Sequence, residues 1–291
     1  MTLLDILLTA VREGLLFGIM AMGVFLTFRV LNFADLTVDG TFALGAATYA
    51  AVLISGGSVW VGVALALAGG FVAGAVTGLL HTKAGITGLL SGILTMIALY
   101  SINLRIMGRP NIPLLSGEGI LGVFEPLGLS PDASAWVVFV LFPGVVFAFL
   151  VWLFHTKFGY VLRATGDNIQ MVRSLGVNPE RMEVWGLALS NALVSLSGAL
   201  VAQYQGFADV GMGIGTIIAG LASVIIGEVF VGSRGMGWLL AGVLLGTFVY
   251  RLSIGLALVL GFEPTDLKLL TAIIVFLALT LPAVRKKVRF S

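Results

Sequence analysis

The chain has 291 residues, of which 59% are hydrophobic and only 10% charged, with 39 Gly and a formal net charge of +2. A mean hydropathy of +1.10 excludes an ordinary soluble globule and points to a protein built largely from membrane-spanning segments. The absence of Cys excludes disulfides, thiol catalysis and thiolate metal sites, and the slight basic excess lies at span ends and does not suggest nucleic acid binding.

Residues 2–13 are too few to cross a bilayer and mix Leu and Ile with Asp5, Arg12 and Glu13, so they are expected to form an interfacial amphipathic helix. With no positive charge ahead of the first apolar run, they do not read as a signal peptide. Nine candidate spans follow, at 14–33, 41–55, 59–80, 85–107, 135–155, 184–204, 216–231, 237–258 and 268–284. Crossing takes about 20 residues, so 41–55 and 216–231 are short and are expected to be broken helices. All five Trp (Trp60, Trp136, Trp152, Trp185 and Trp238) fall at span ends, as an interfacial aromatic belt requires.

Within 59–80, small residues recur every fourth position at Gly62, Ala66, Gly70, Gly74 and Gly78. They form one smooth stripe that predicts close helix packing inside the subunit, with dimerisation as the alternative. Pro143-Gly144 predicts a kink in 135–155. The loop at 108–134 carries Pro110, Pro113, Pro126 and Pro131 with three acids, and is a candidate contact for an external partner.

Between the apolar spans lies one long polar, basic run at 157–181. Leu162, Ile169, Val172 and Leu175 there are spaced for an apolar stripe on a short helix or helix pair. Gly166-Asp167 offers a break followed by an N-cap, and Gly176 a stop before Pro179. A loop so patterned reads as a docking surface; an ordinary basic loop is the alternative. If it faces the cytoplasm, eleven basic residues lie inside against four outside, which places the N-terminus outside and the C-terminus inside.

Phe33-Ala34-Asp35 recurs as Phe207-Ala208-Asp209, and each copy leads through a Gly-Thr pair (Gly40-Thr41, Gly215-Thr216) into one of the short spans. Five spans separate the copies, an odd number, so an inverted-topology repeat is expected, with halves at about 14–155 and 184–291. Asp39 or Thr41 is expected to cap 41–55, and Thr216 to cap 216–231. Asp35, Asp39, Asn103, Asn191, Gln203, Asp209 and Arg251 are candidates for lining a path; Ser190, Ser195, Ser197 and Gln205 share those spans. Arg251 is expected to pair with Asp209 or to neutralise a solute carboxylate, and Glu228 to pair with Arg234 or reach the interface. His81 and His155 stand alone, and no metal-ligand set, nucleophile set or phosphate-binding loop is present.

The run "FGYVLRATGDNIQMVRSLG" at 158–176 resembles the coupling loop of permease subunits of ABC importers, in the branched-chain amino acid and ribose permease superfamily. "VLNFADLTVDGTFALGAA" at 30–47 and "IIAGLASVIIGEVFVGSRGMG" at 217–237 resemble two further signatures of that group, in the same order, nearest to permeases paired with tryptophan/tyrosine-type binding proteins. The resemblance implies an all-α polytopic bundle forming a single transmembrane domain over 1–291, with a cytoplasmic coupling loop at 156–183. Its coupling residues would be Phe158, Gly159, Leu162, Arg163, Ala164, Gly166, Asp167, Asn168, Val172, Arg173 and Gly176. It implies a subunit of the bacterial plasma membrane that is not itself an enzyme, imports a small solute such as an amino acid, and binds no cofactor. ATP and Mg would sit on separate ATPase subunits; a second permease, an identical one, and an extracytoplasmic substrate-binding protein would complete the assembly in the lipid bilayer. A secondary transporter or channel of similar topology is the rival reading.

Overall fold

The computed structural model describes residues 3–114, 119–232, 235–263, 266, 269–273 and 276. In chain order the helices are α1 Leu3–Phe25, α2 Thr37–Ile54, α3 Val59–Thr82, α4 Gly88–Met107, α5 Pro131–Phe154, α6 Lys157–Asp167, α7 Ile169–Ser174, α8 Pro179–Gln205, α9 Thr216–Val231 and α10 Met236–Val259. Seven of them, counting α1 with the π-helical turn Leu26–Val30 that extends it, are long and apolar enough to cross a membrane, and α9 is a shorter apolar helix. The predicted ninth span at 268–284 lies mostly outside the described residues.

Helix α8 is the hub: it packs against α1, α2 and α3, and is the most enclosed of the spans. Its small and hydroxylated residues explain why. A Cβ on Gly70 of α3 would collide with the Asn191 carbonyl of α8, and one on Gly74 with the Leu187 carbonyl. The predicted stripe is therefore an internal seam in which the two backbones nearly touch. Ser190 donates to the Gly23 carbonyl at 2.7 Å, Ser195 to the Ala66 carbonyl at 2.6 Å and Ser197 to the Leu16 carbonyl at 2.7 Å. These hydroxyls fasten α8 to α1 and α3, so they serve packing and do not line a path.

On one side of this hub α2 packs against α3 and α4; on the other, α1 packs against α9 and α10, with α5 outside α1. At the end away from α6, a two-stranded antiparallel ribbon joins β1 Asn111–Pro113 to β2 Phe207–Asp209, pairing Asn111 with Asp209 and Pro113 with Phe207. The sequence reading did not foresee this ribbon, because neither three-residue strand carries a pattern of its own.

The expected interfacial helix at 2–13 is corrected. Helix α1 is continuous from Leu3, Ile6 and Ala10 are buried, and Glu13 bonds to Arg251 across the bundle. Of the polar residues that suggested a surface helix, Glu13 is matched inside the protein and Arg12 lies over the Trp136 ring, while Asp5 is exposed. Helix α2 also begins four residues before the predicted start, at Thr37, because Asp35 accepts the Thr37 N–H at 2.9 Å and closes the entry turn.

Candidate functional site

The 157–181 run folds as the helix pair α6–α7. Thr156 caps α6 by accepting from the Gly159 N–H at 3.2 Å, and Asn168 caps α7 by accepting from the Met171 N–H at 2.9 Å. Gly176, at φ +79°, ends α7 in the left-handed conformation, and Asn178 caps α8 ahead of Pro179. The break thus falls at Asn168, after the expected Gly166-Asp167. Gly166 does not set the bend. It sits within α6 where a Cβ would strike the Val30 carbonyl, so its role is to let α6 lie against the end of the α1 segment.

The predicted apolar stripe divides between two faces. Leu162 and Val172 are 0% and 1% exposed within this chain, whereas Ile169, Met171 and Leu175 are 45%, 46% and 71% exposed. A carbon on Gly186 of α8 would touch both Leu162 and Leu31, which shows what Leu162 packs against. Leu162 and Val172 therefore anchor the pair to the subunit. The apolar groups left facing outward are those of α7 and its end, together with Tyr160.

The second feature is where α2, long enough to cross despite the short span expected at 41–55, meets the shorter α9. The Asp39 carboxylate, in the first turn of α2, accepts from the Gly215 N–H at 2.8 Å, the Ile217 N–H at 2.9 Å and the Thr216 hydroxyl at 3.1 Å. Asp39 thus caps α9, not its own helix, and its negative charge lies at the positive end of that helix. Neither Thr41 nor Thr216 fills the capping role expected of it: Thr41 bonds Asn191, and no side chain caps α2 at its N-cap residue Leu36.

Comparison with known proteins fits a bundle of this form. Residues 6–280 match the family described as "Branched-chain amino acid transport system / permease component". The chain belongs to that family. It is 41% identical over 270 residues, 92% of this chain and 88% of the relative, to a tyrosine transport system permease protein of Clostridioides difficile (strain R20291). It is 33% identical to an uncharacterized protein of Rickettsia prowazekii (strain Madrid E), over 95% of this chain and 98% of that one. A ribose import permease protein of Escherichia coli (strain K12) is 28% identical over 87% of this chain and 74% of its own length. No solved structure matches the chain.

In this permease the path candidates do not form one cluster. Asp35 is buried beside Asn191, whose amide donates to it at 2.6 Å, while Thr41 donates to the Asn191 carbonyl at 2.7 Å. Burial raises the Asp35 pKa, and the bonds from Thr37 and Asn191 act against that rise. Nearby, Thr37, Thr77 and Thr95 form a hydroxyl chain at 2.7 and 2.9 Å that joins α2, α3 and α4. Asn103 donates to the Gly40 carbonyl at 3.1 Å.

Gln203 and Asp209 lie at the opposite end. The Ile120 N–H donates to the Tyr49 hydroxyl, which donates to Gln203 Oε1, both at 3.0 Å. Asp209 accepts from the Asn111 amide at 3.2 Å and the Gly211 N–H at 2.8 Å. Arg251 does not reach Asp209; it pairs with Glu13 at 3.2 Å and covers the Phe17 ring at 3.4 Å from its centroid. Glu228 pairs with Arg29 at 2.6 Å, across 199 residues; Arg234 lies outside the described residues. His81 is not alone either, since its ring meets the Ile86 carbonyl at 2.7 Å and lies 3.7 Å from Glu183. The missed partners, Glu13 and Arg29, gave no signal beyond their charge, because pairing across the bundle leaves no trace in local spacing.

Proposed function

We propose that this permease is the membrane subunit of an ABC importer that moves an amino acid, of the aromatic class, inward by ATP-driven alternating access. The observation that carries the reading is the α6–α7 pair: Leu162 and Val172 hold it to the subunit while Ile169, Met171 and Leu175 stay uncovered at its outer face. A polar connection would ordinarily leave such side chains buried or replace them, so an apolar face held out on a buried anchor suits a protein partner. In this reading the partner is an ATPase subunit that binds ATP and Mg. A second copy of the permease completes the path, and an extracytoplasmic binding protein delivers the solute. The assembly sits in the bacterial plasma membrane with the N-terminus outside and the C-terminus in the cytoplasm.

The aromatic substrate rests on the similarity to the tyrosine permease. Four of the described acids within or beside the spans, Glu13, Asp35, Asp39 and Glu228, are engaged by arginines, amides or helix N–H groups, which favours an importer over a carrier that loads a proton or cation on one of these carboxylates. The test is co-expression with the neighbouring ATPase and binding-protein genes, followed by ATP hydrolysis in proteoliposomes. Stimulation by tyrosine-loaded binding protein is expected. Transport driven by a proton or sodium gradient without ATP would overturn the proposal, and stimulation by ribose alone would overturn its substrate class.

A further inference from the structure

At the α6 end of the bundle a charged chamber adjoins an apolar groove. The chamber, about 800 Å³, lies between the π turn after α1, helix α6 and the last turns of α9; Arg29, Arg163, Asp167, Glu228, His155 and Tyr160 contribute to its walls. The groove, about 520 Å³, runs between α5 and α10 past Phe147, Trp238 and Ala241. His155, Gly235 and Met236 line both, so one continues into the other. Trp152 and Trp238, 62% and 60% exposed at the ends of α5 and α10, mark this as the level of a membrane interface. Polar walls at the interface and apolar walls leading away from it suit an amphiphile better than a small polar solute.

The chamber's chemistry selects the headgroup. Arg29 is already engaged by Glu228 at 2.6 Å. Arg163 has no carboxylate within ion-pair distance among the described residues, and its guanidinium lies 5.9 Å from the Tyr160 ring centroid, so it is a cation available to an incoming phosphate. Among the described residues Glu228 is taken up by Arg29, whereas Asp167 has no lysine or arginine within ion-pair distance. Asp167 and Glu228 are carboxylates, and His155 has its Nδ1 2.7 Å from the Val151 carbonyl, which places the ring proton on Nδ1 and leaves Nε2 as an acceptor in the neutral ring. Among the described residues Arg163 and Asp167 are a cation and a carboxylate outside the Arg29–Glu228 pair, a balance matched to a phosphate that carries its own ammonium.

We infer that the chamber and groove bind a phospholipid with a phosphoethanolamine headgroup, the phosphate against Arg163, the ammonium between Asp167 and His155, and an acyl chain along the α5–α10 groove. Because α6 forms one wall and α9 another, the bound lipid bridges the α6–α7 pair to α9.

The test is native mass spectrometry of the purified full-length permease with phosphatidylethanolamine, phosphatidylcholine and phosphatidylglycerol of matched acyl chains. Phosphatidylethanolamine is expected to be retained about tenfold over phosphatidylcholine, whose methylated ammonium has no N–H to donate, and to be preferred over phosphatidylglycerol. Arg163→Ala, which removes the phosphate partner, and Ala241→Trp, which fills the groove, should each abolish that preference. Equal retention of the three lipids, or a preference for phosphatidylglycerol, in the unsubstituted permease overturns the assignment without reliance on any variant. So does free phosphoethanolamine displacing the lipid at equal concentration, since the groove would then contribute nothing. Loss of lipid in Ala241→Trp with full selectivity kept in Arg163→Ala would show that the headgroup is read elsewhere, and overturns the assignment of the phosphate to Arg163.

Discussion

Asp39 stands in the first turn of α2, yet the helix it closes begins 177 residues later at Thr216. Local capping rules look three residues ahead, so the sequence showed that a polar group starts each span expected to be short and could not show that one carboxylate serves the other copy's helix. Replacing it with Ala leaves the Gly215 and Ile217 N–H groups without their acceptor in a partly buried place. The expected loss is roughly 1–3 kcal/mol of stability, read as a lower midpoint of thermal unfolding in detergent. Asp39→Asn keeps an acceptor oxygen without the charge and should fall between the two. An unchanged midpoint in Asp39→Ala would show that the clasp contributes nothing to the folded subunit.

At the scale of elements, spacing was legible where one face repeats over a long helix and failed where two short helices share a stripe. The five small residues of α3 predicted an internal seam, and the structure brings Gly70, Gly74 and Gly78 onto the backbone of α8. Gly70→Leu should therefore prevent assembly of the subunit, seen as loss of monodisperse protein on size-exclusion chromatography; a normal profile and normal transport would place the stripe against lipid. In α6–α7 the same reasoning put Leu162, Ile169, Val172 and Leu175 on one face, whereas with the turn at Asn168 Leu162 and Val172 face the subunit and Ile169 and Leu175 face outward. This changes what substitutions should do. Leu162→Asp buries a charge in the subunit and should destabilise it outright, where burying the leucine contributes about 1.5–3 kcal/mol. Leu175→Asp, on an exposed residue, should leave the unfolding midpoint intact while reducing co-purification of the ATPase. If Leu175→Asp retains a full complement of coupled ATPase, α7 is not the docking face.

For the whole molecule, the order of the spans was readable because a bilayer demands long apolar runs, and eight of the nine expected segments are helices among the described residues. What the sequence could not show is how ionic residues close the bundle, since Arg29–Glu228 and Glu13–Arg251 join segments 199 and 238 residues apart. The proposed orientation of the bundle rests on where the basic residues collect. Lys83 meets Glu180 at 3.8 Å, and Arg29 and Arg163 line one chamber, so the loops after α1, α3 and α5 gather their cations at a single end. Arg12 lies toward the other end, over Trp136 near the start of α5, with its guanidinium 5.0 Å from the ring centroid. Under the positive-inside rule we propose that the end bearing α6–α7 faces the cytoplasm, which is also the side where an ATPase would reach it. The chain has no Cys, so single cysteines at Thr2 and Ser291 can be labelled without background. In intact cells a membrane-impermeant maleimide is expected to label the cysteine at position 2 and to reach position 291 only after the membrane is opened. Labelling at 291 but not at 2 would turn the molecule over, place α6–α7 outside, and remove the ATPase from reach of the surface proposed to bind it.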